Sequence, residues 1–152
     1  MAFGFGMGFQ FGTRGGGGGP AVVYSDDFST AGDLSSWTRG FNSVDGTLQV
    51  SGGTLIHTKG AGDGSFARWV RPIEGATIGK LYRAVAGSIG GTQPNAKFQV
   101  SVASNGGGNG AEKVATGTTI YAVVIFATPS ATTGQTGIYD YLSVVELPAP
   151  LP

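Results

Sequence analysis

Nine acidic side chains and a single histidine carry most of the acid–base chemistry available to this 152-residue sequence. His57 lies inside the apolar run Thr54-Leu55-Ile56-His57-Thr58. A catalytic imidazole needs a nucleophile on one side and an orienting acid on the other. No nucleophile motif accompanies this one, so it reads as an ordinary strand residue. Paired carboxylates can cleave glycosides, but the acids are few, and Asp26 and Asp27 are the adjacent pair. The absence of cysteine excludes a disulfide framework, a thiolate metal site and a cysteine nucleophile. No His/Cys cluster offers itself to a transition metal. The glycine-rich run SNGGGNG (104–110) lacks the lysine and the following helix of a phosphate loop. The sequence therefore predicts no enzyme and calls for no cofactor.

Five aromatics could act by stacking rather than by proton transfer: Trp37, Trp69, Tyr82, Tyr139 and Tyr141. Such rings either lie flat on sugar faces or pack the interior. Trp69 stands between Arg68 and Arg71, which suggests a polar face. Tyr139 and Tyr141 are two residues apart and would share one face of a single strand.

Composition narrows the partners. Nine Lys and Arg balance nine Asp and Glu, and only 12% of residues are charged. Nucleic acid is not an expected partner, because phosphate neutralisation needs clustered basic residues. No apolar run is long enough for a membrane-spanning helix, and no membrane partner is expected. A neutral, sparsely charged surface suits a subunit that works bound to others.

The elements that must position these residues are short and β-patterned. AVVYS (21–25), TLQV (47–50), TLIHT (54–58), FARWVRPI (66–73), KLYRAVAGSI (80–89), KFQVSVAS (97–104), TIYAVVIFAT (119–128) and IYDYLSVVEL (138–147) are separated by Gly/Asn/Ser/Thr clusters. Ser51-Gly52-Gly53 reads as a hairpin turn between the second and third of these runs. TIYAVVIFAT is the most apolar run and reads as a central strand, whereas KFQVSVAS alternates a buried and a wet face. No segment keeps a helical period. About eight short strands at this spacing predict an all-β fold, an antiparallel β-sandwich of jelly-roll type over residues 21–147. The closing LPAPLP, with its tail at 148–152, cannot extend a sheet.

Ahead of this body stands MAFGFGMGFQFGTRGGGGGP. Met1, Phe3, Phe5, Met7, Phe9 and Phe11 alternate with small or polar residues, so an extended chain places every large side chain on one face. The segment has no basic leader, no continuous apolar stretch and no cleavage site of a signal peptide. It reads as an extended anchor arm over residues 1–14, with Phe3, Phe5, Met7, Phe9 and Phe11 as the partner-binding residues. Burial of each phenylalanine is worth roughly 1.5–3 kcal/mol, which can offset the cost of ordering the glycines. Residues 15–20, five glycines and a proline, form a flexible linker.

Two resemblances follow from these motifs. DDFST (26–30), SSWT (35–38) and DGTLQVSGG (45–53) resemble the opening of galactose-binding-like and laminin-G/concanavalin-like sandwiches. YDYLSVVE (139–146) resembles the last strand of carbohydrate-binding modules of the galactose-binding-like type. This resemblance implies a structural calcium held by Asp26, Asp27 and Asp140; the same residues also suit turn caps and a cross-strand pair. It further implies stacking of a host-surface glycan on the aromatics named above. The Phe/Gly/Met opening with its glycine run is similar to the N-terminal segments of small bacteriophage virion proteins. That likeness implies a decoration or head-fibre protein on the virion surface, assembled in the host cytoplasm. Its arm would be seated in the major capsid protein, another virion protein or a neighbouring subunit, with a homo-oligomer, first of all a trimer, expected. The alternative is a carbohydrate-binding adhesin module.

Overall fold

Strands form where β-branched and aromatic runs lie between glycine-, asparagine- and aspartate-rich breaks. The computed structural model describes residues 20–30 and 34–148. It contains β1 (Ala21–Asp26), β2 (Thr38–Arg39), β3 (Thr47–Ser51), β4 (Thr54–Thr58), β5 (Arg68–Glu74) and β6 (Leu81–Ala86). There follow β7 (Ile89–Gly90), β8 (Ala96–Ser101), β9 (Glu112–Val114), β10 (Thr119–Phe126), β11 (Thr136–Tyr139) and β12 (Leu142–Glu146). These make three antiparallel four-stranded sheets: sheet I in the order β9-β6-β12-β1, sheet II as β2-β5-β10-β8 and sheet III as β3-β4-β11-β7. The architecture is the all-β sandwich expected from the sequence. The Phe/Gly arm, most of its linker and residues 149–152 lie outside the described residues.

The hairpin between β3 and β4 turns at Gly52 and Gly53, both at positive φ (61° and 77°), with Ser51 opposite Thr54. Two consecutive left-handed residues match the right-handed twist of the flanking strands. The apolar run at 119–126 is an interior strand, β10, paired with β5 and β8. Ile120, Ala122, Val124 and Phe126 point into the main core with Phe98 of the same sheet, and Leu55, Tyr82, Tyr139 and Val144 join them from the other two sheets.

The run at 138–147 is not one strand. β11 belongs to sheet III and β12 to sheet I, and the chain changes sheet at Asp140-Tyr141. Its neighbour does the same at Gly87-Ser88, between β6 of sheet I and β7 of sheet III. Pairing continues through the corner. Gly87 N donates to Tyr141 O at 2.9 Å, and the Asp140 carboxylate accepts from Ser88 N (2.7 Å) and Ser88 Oγ (2.8 Å). A Cβ on Gly87 would stand 2.6 Å from Asp140 Oδ1 and 3.2 Å from Tyr141 Cβ, so a larger residue there would displace the carboxylate.

Sheet II has a second buried face. Val70, Val123 and Ile125 form a small separate cluster with Tyr121 against it. The loop after β8 closes over this side: Ser101 Oγ donates to Gly107 O, and Arg68 Nη1 donates to Gly106 O. The face of KFQVSVAS expected to be wet is therefore partly covered, and Ser101 is buried.

His57 sits in the main core with its ring stacked on Phe126, centroids 4.1 Å apart. It is fully buried, and neither ring nitrogen has a hydrogen-bond partner among the described residues. Burial favours the neutral ring and pulls its pKa from 6.5 down to about 4, against a small opposing pull from Asp63. The unfolded chain binds this proton near pH 6.5 and the folded chain only near 4. The native state therefore has its full stability above pH 6.5 and loses it as the pH falls towards 4. The expected loss is about 3 kcal/mol at ~1.4 kcal/mol per pKa unit. Urea unfolding at pH 7, 5.5 and 4.5 should show the chain weakening more steeply than a His57→Leu variant; parallel curves would refute this role of the ring.

Candidate functional site

The loop at 40–46 and the loop at 59–66 are rich in glycine, aspartate and asparagine, and two carboxylates knit them together. Asp63 Oδ1 accepts from the backbone N–H groups of Val44 (2.6 Å), Asp45 (3.0 Å) and Gly46 (3.2 Å), and Oδ2 accepts from Gly60 N (2.9 Å). Burial pushes this carboxyl up, but the amides of Gly60, Val44, Asp45 and Gly46 outweigh it and hold Asp63 below the ordinary carboxylate value. Asp45 returns the contact by accepting from Gly62 N. Buried Lys59 donates to Asp63 O at 2.8 Å, and Arg39 Nη2 donates to Gly46 O at 2.9 Å. Each charged group is spent on backbone atoms.

This rim holds apolar side chains out in solvent. Phe41 is 55% exposed, Val44 66% and Phe66 39%. Phe66 adopts φ +58°, a left-handed conformation that costs a bulky residue energy. Arg68 fixes this arrangement: its Nε donates to Phe66 O, and its guanidinium lies 5.7 Å from the Phe41 ring centre. The sequence reading missed Phe41 and Val44 because a lone hydrophobe in a polar loop has no periodicity to reveal it. It placed Phe66 within a strand that in fact begins at Arg68.

A second apolar surface is the outer face of sheet I. Cross-strand register puts Val22, Val145, Arg83 and Glu112 in one row, with Val85, Ser143 and Ser25 in the next and Leu81 and Val114 in a third. Val22 (37%), Val85 (38%) and Val114 (51%) are exposed. Arg83 and Glu112 form an ion pair across the face. A solvent-facing side of an antiparallel sheet is ordinarily polar; this one is mostly aliphatic.

The predicted stacking aromatics lie elsewhere than expected. Trp37, Tyr82 and Tyr139 are buried and have no open face for a sugar. Tyr82 Oη accepts from Thr77 N and donates to Glu146 Oε1, while Tyr139 Oη donates to Lys97 O. Tyr139 and Tyr141 do not share a strand face, because the chain changes sheet between them; Tyr141 is half-buried at the corner. Trp69 does not lie on a polar outer face. It points to the main core side of sheet II, partly exposed, with Arg39 on its ring at 4.9 Å.

The acids of the implied calcium site each hold local backbone. Asp26 Oδ1 accepts from Phe28 N at 2.8 Å, and Asp27 Oδ1 from Ser29 N at 3.0 Å, two Asx turns. Asp140 is the corner group already described. Among the described residues, no three Asp, Glu or His side chains gather as a metal ion would need. The anchor residues Phe3, Phe5, Met7, Phe9 and Phe11 lie outside the described residues.

In comparisons with known proteins, no family model and no curated protein matches the sequence.

Removing the Asp63 carboxylate leaves four backbone N–H groups short of an acceptor. Hydrogen bonds to a charged group contribute about 1.5–3 kcal/mol each, less when the freed donors reach water. Asp63→Ala is expected to lower unfolding free energy by about 3 kcal/mol, and Asp45→Ala by clearly less. Denaturant titration of the two variants checks the order; equal losses would mean that Asp63 is not the hub of this rim.

Proposed function

We propose that this chain is a non-enzymatic structural protein of a bacteriophage particle, attached through its N-terminal Phe/Gly arm and displaying the β-sandwich as a decoration or short fibre. The observation that carries this reading is where the side chains available for contact lie. The aromatics suited to a sugar are largely packed inside, whereas aliphatic and phenylalanine side chains are exposed on a sheet face and a braced loop rim. Such flat or convex apolar surfaces fit protein partners. The titratable groups that chemistry would use hold loops, corners and core instead. The arm supplies a period-two row of phenylalanines, the pattern that seats an extended peptide against another subunit.

The test compares full-length bait with bait lacking residues 2–19 in lysate of the cells that naturally make the chain, with mass spectrometry of what is retained. The expected result is a capsid or tail protein retained by the full-length bait and reduced at least tenfold with the truncated one. Retention of the same proteins by both baits, or of no particle protein by either, overturns the reading. Retention of host glycan by the truncated bait overturns it in favour of an adhesin module.

A further inference from the structure

The outer face of sheet I borders the point where the N-terminal segment joins the body. β1 is an edge strand of that sheet, and Pro20 immediately precedes it. Val22, Val145, Val85, Leu81 and Val114 share the face with Ser25 and Ser143, and its two charges neutralise one another. The first charged side chain of the sequence is Arg14, so the side chains of residues 1–13 bring no charge to such a surface. We propose that this face is the docking site of the chain's own N-terminal segment, with Phe5, Met7, Phe9 and Phe11 laid on the valine rows.

Reach and register support this occupant. The eight residues Gly12–Gly19 have a root-mean-square span of about 16 Å as a glycine-rich coil. Four strands at ~4.8 Å spacing make a sheet about 14 Å from first strand to last. The tether therefore holds the segment above its own sheet at high effective concentration. Phe5 to Phe11 extended covers about 20 Å, close to the length of the six-residue β6. The alternation puts the large side chains down on the face and leaves the glycine side to water, which satisfies the backbone amides.

This inference deepens the proposed function and rests on its reading of the arm: sheet I stores the arm on a free subunit until a particle partner takes it. The chain has no native cysteine, so paired cysteines can map the contact. Met7→Cys with Val85→Cys is expected to form an intrachain disulfide at least tenfold faster than Gly8→Cys with Val85→Cys. The two pairs have nearly the same tether but opposite faces of the arm. Met7→Cys with Val114→Cys should repeat the preference at a second row. Equal rates for the two arm faces overturn the proposal. A disulfide found mainly between chains overturns it as well and gives the face to the arm of a second copy. The outcome separates from the lysate test: a face-selective disulfide without particle capture defeats the functional reading alone, and capture without face selectivity defeats the docking alone.

Discussion

Two neighbouring strands that bend together constrain most of this molecule. β6-β7 and β11-β12 each leave one sheet and enter another, and they stay paired while doing so. A paired ribbon that turns a corner needs room for the close approach of the two chains and a repair of the interrupted ladder. Gly87 meets the first need, and the Asp140 carboxylate meets the second by taking both the amide and the hydroxyl of Ser88. The bend lets sheets I and III share one core with sheet II. On the sheet III side, Tyr139 reaches across to the backbone of β8; on the sheet I side, Leu142 and Val144 close the interior.

The same economy of charge recurs throughout. Five of the six aspartates, Asp26, Asp27, Asp45, Asp63 and Asp140, accept from backbone N–H groups within loops or at the corner. Three arginines lie on rings, Arg39 over Trp69, Arg71 over Tyr24 and Arg68 beside Phe41, and Arg83 pairs with Glu112. Loops so rich in glycine lose much entropy on ordering. A carboxylate that gathers several amides at once restores order without requiring a larger core. Backbone amides gathered by these carboxylates help a chain with few charges to hold its long loops.

The sequence made some of this legible and hid the rest for identifiable reasons. The Gly52-Gly53 turn was readable because two left-handed positions in a row admit little besides glycine. β10 was readable because a strand buried on both faces must be apolar throughout. The break at Asp140 was not readable: a period of two continues smoothly across a strand that changes sheet, so 138–147 looks like one element. Trp69 was misplaced because flanking arginines say nothing of which face they share; Arg71 falls on the tryptophan's face and Arg68 on the other. Of the candidate site residues, the acids kept the turn-capping and cross-strand roles that their spacing also allowed. The loop hydrophobes Phe41 and Val44 carried no pattern at all.

Polar groups without partners sharpen the functional argument. His57, the Tyr24 hydroxyl and the Trp69 indole N–H are buried with no hydrogen bond among the described residues. Unpartnered polar atoms of this kind mark a reactive site when they converge on a space that a substrate can enter. Here His57 lies flat on Phe126 between sheets III and II, and Tyr24 and Trp69 belong to rings covered by Arg71 and Arg39. Their burial costs stability, and each ring fills core volume. The exposed apolar side chains include the valines of sheet I and the phenylalanines of the loop rim. Apolar area of this kind contributes to binding in proportion to what it removes from water.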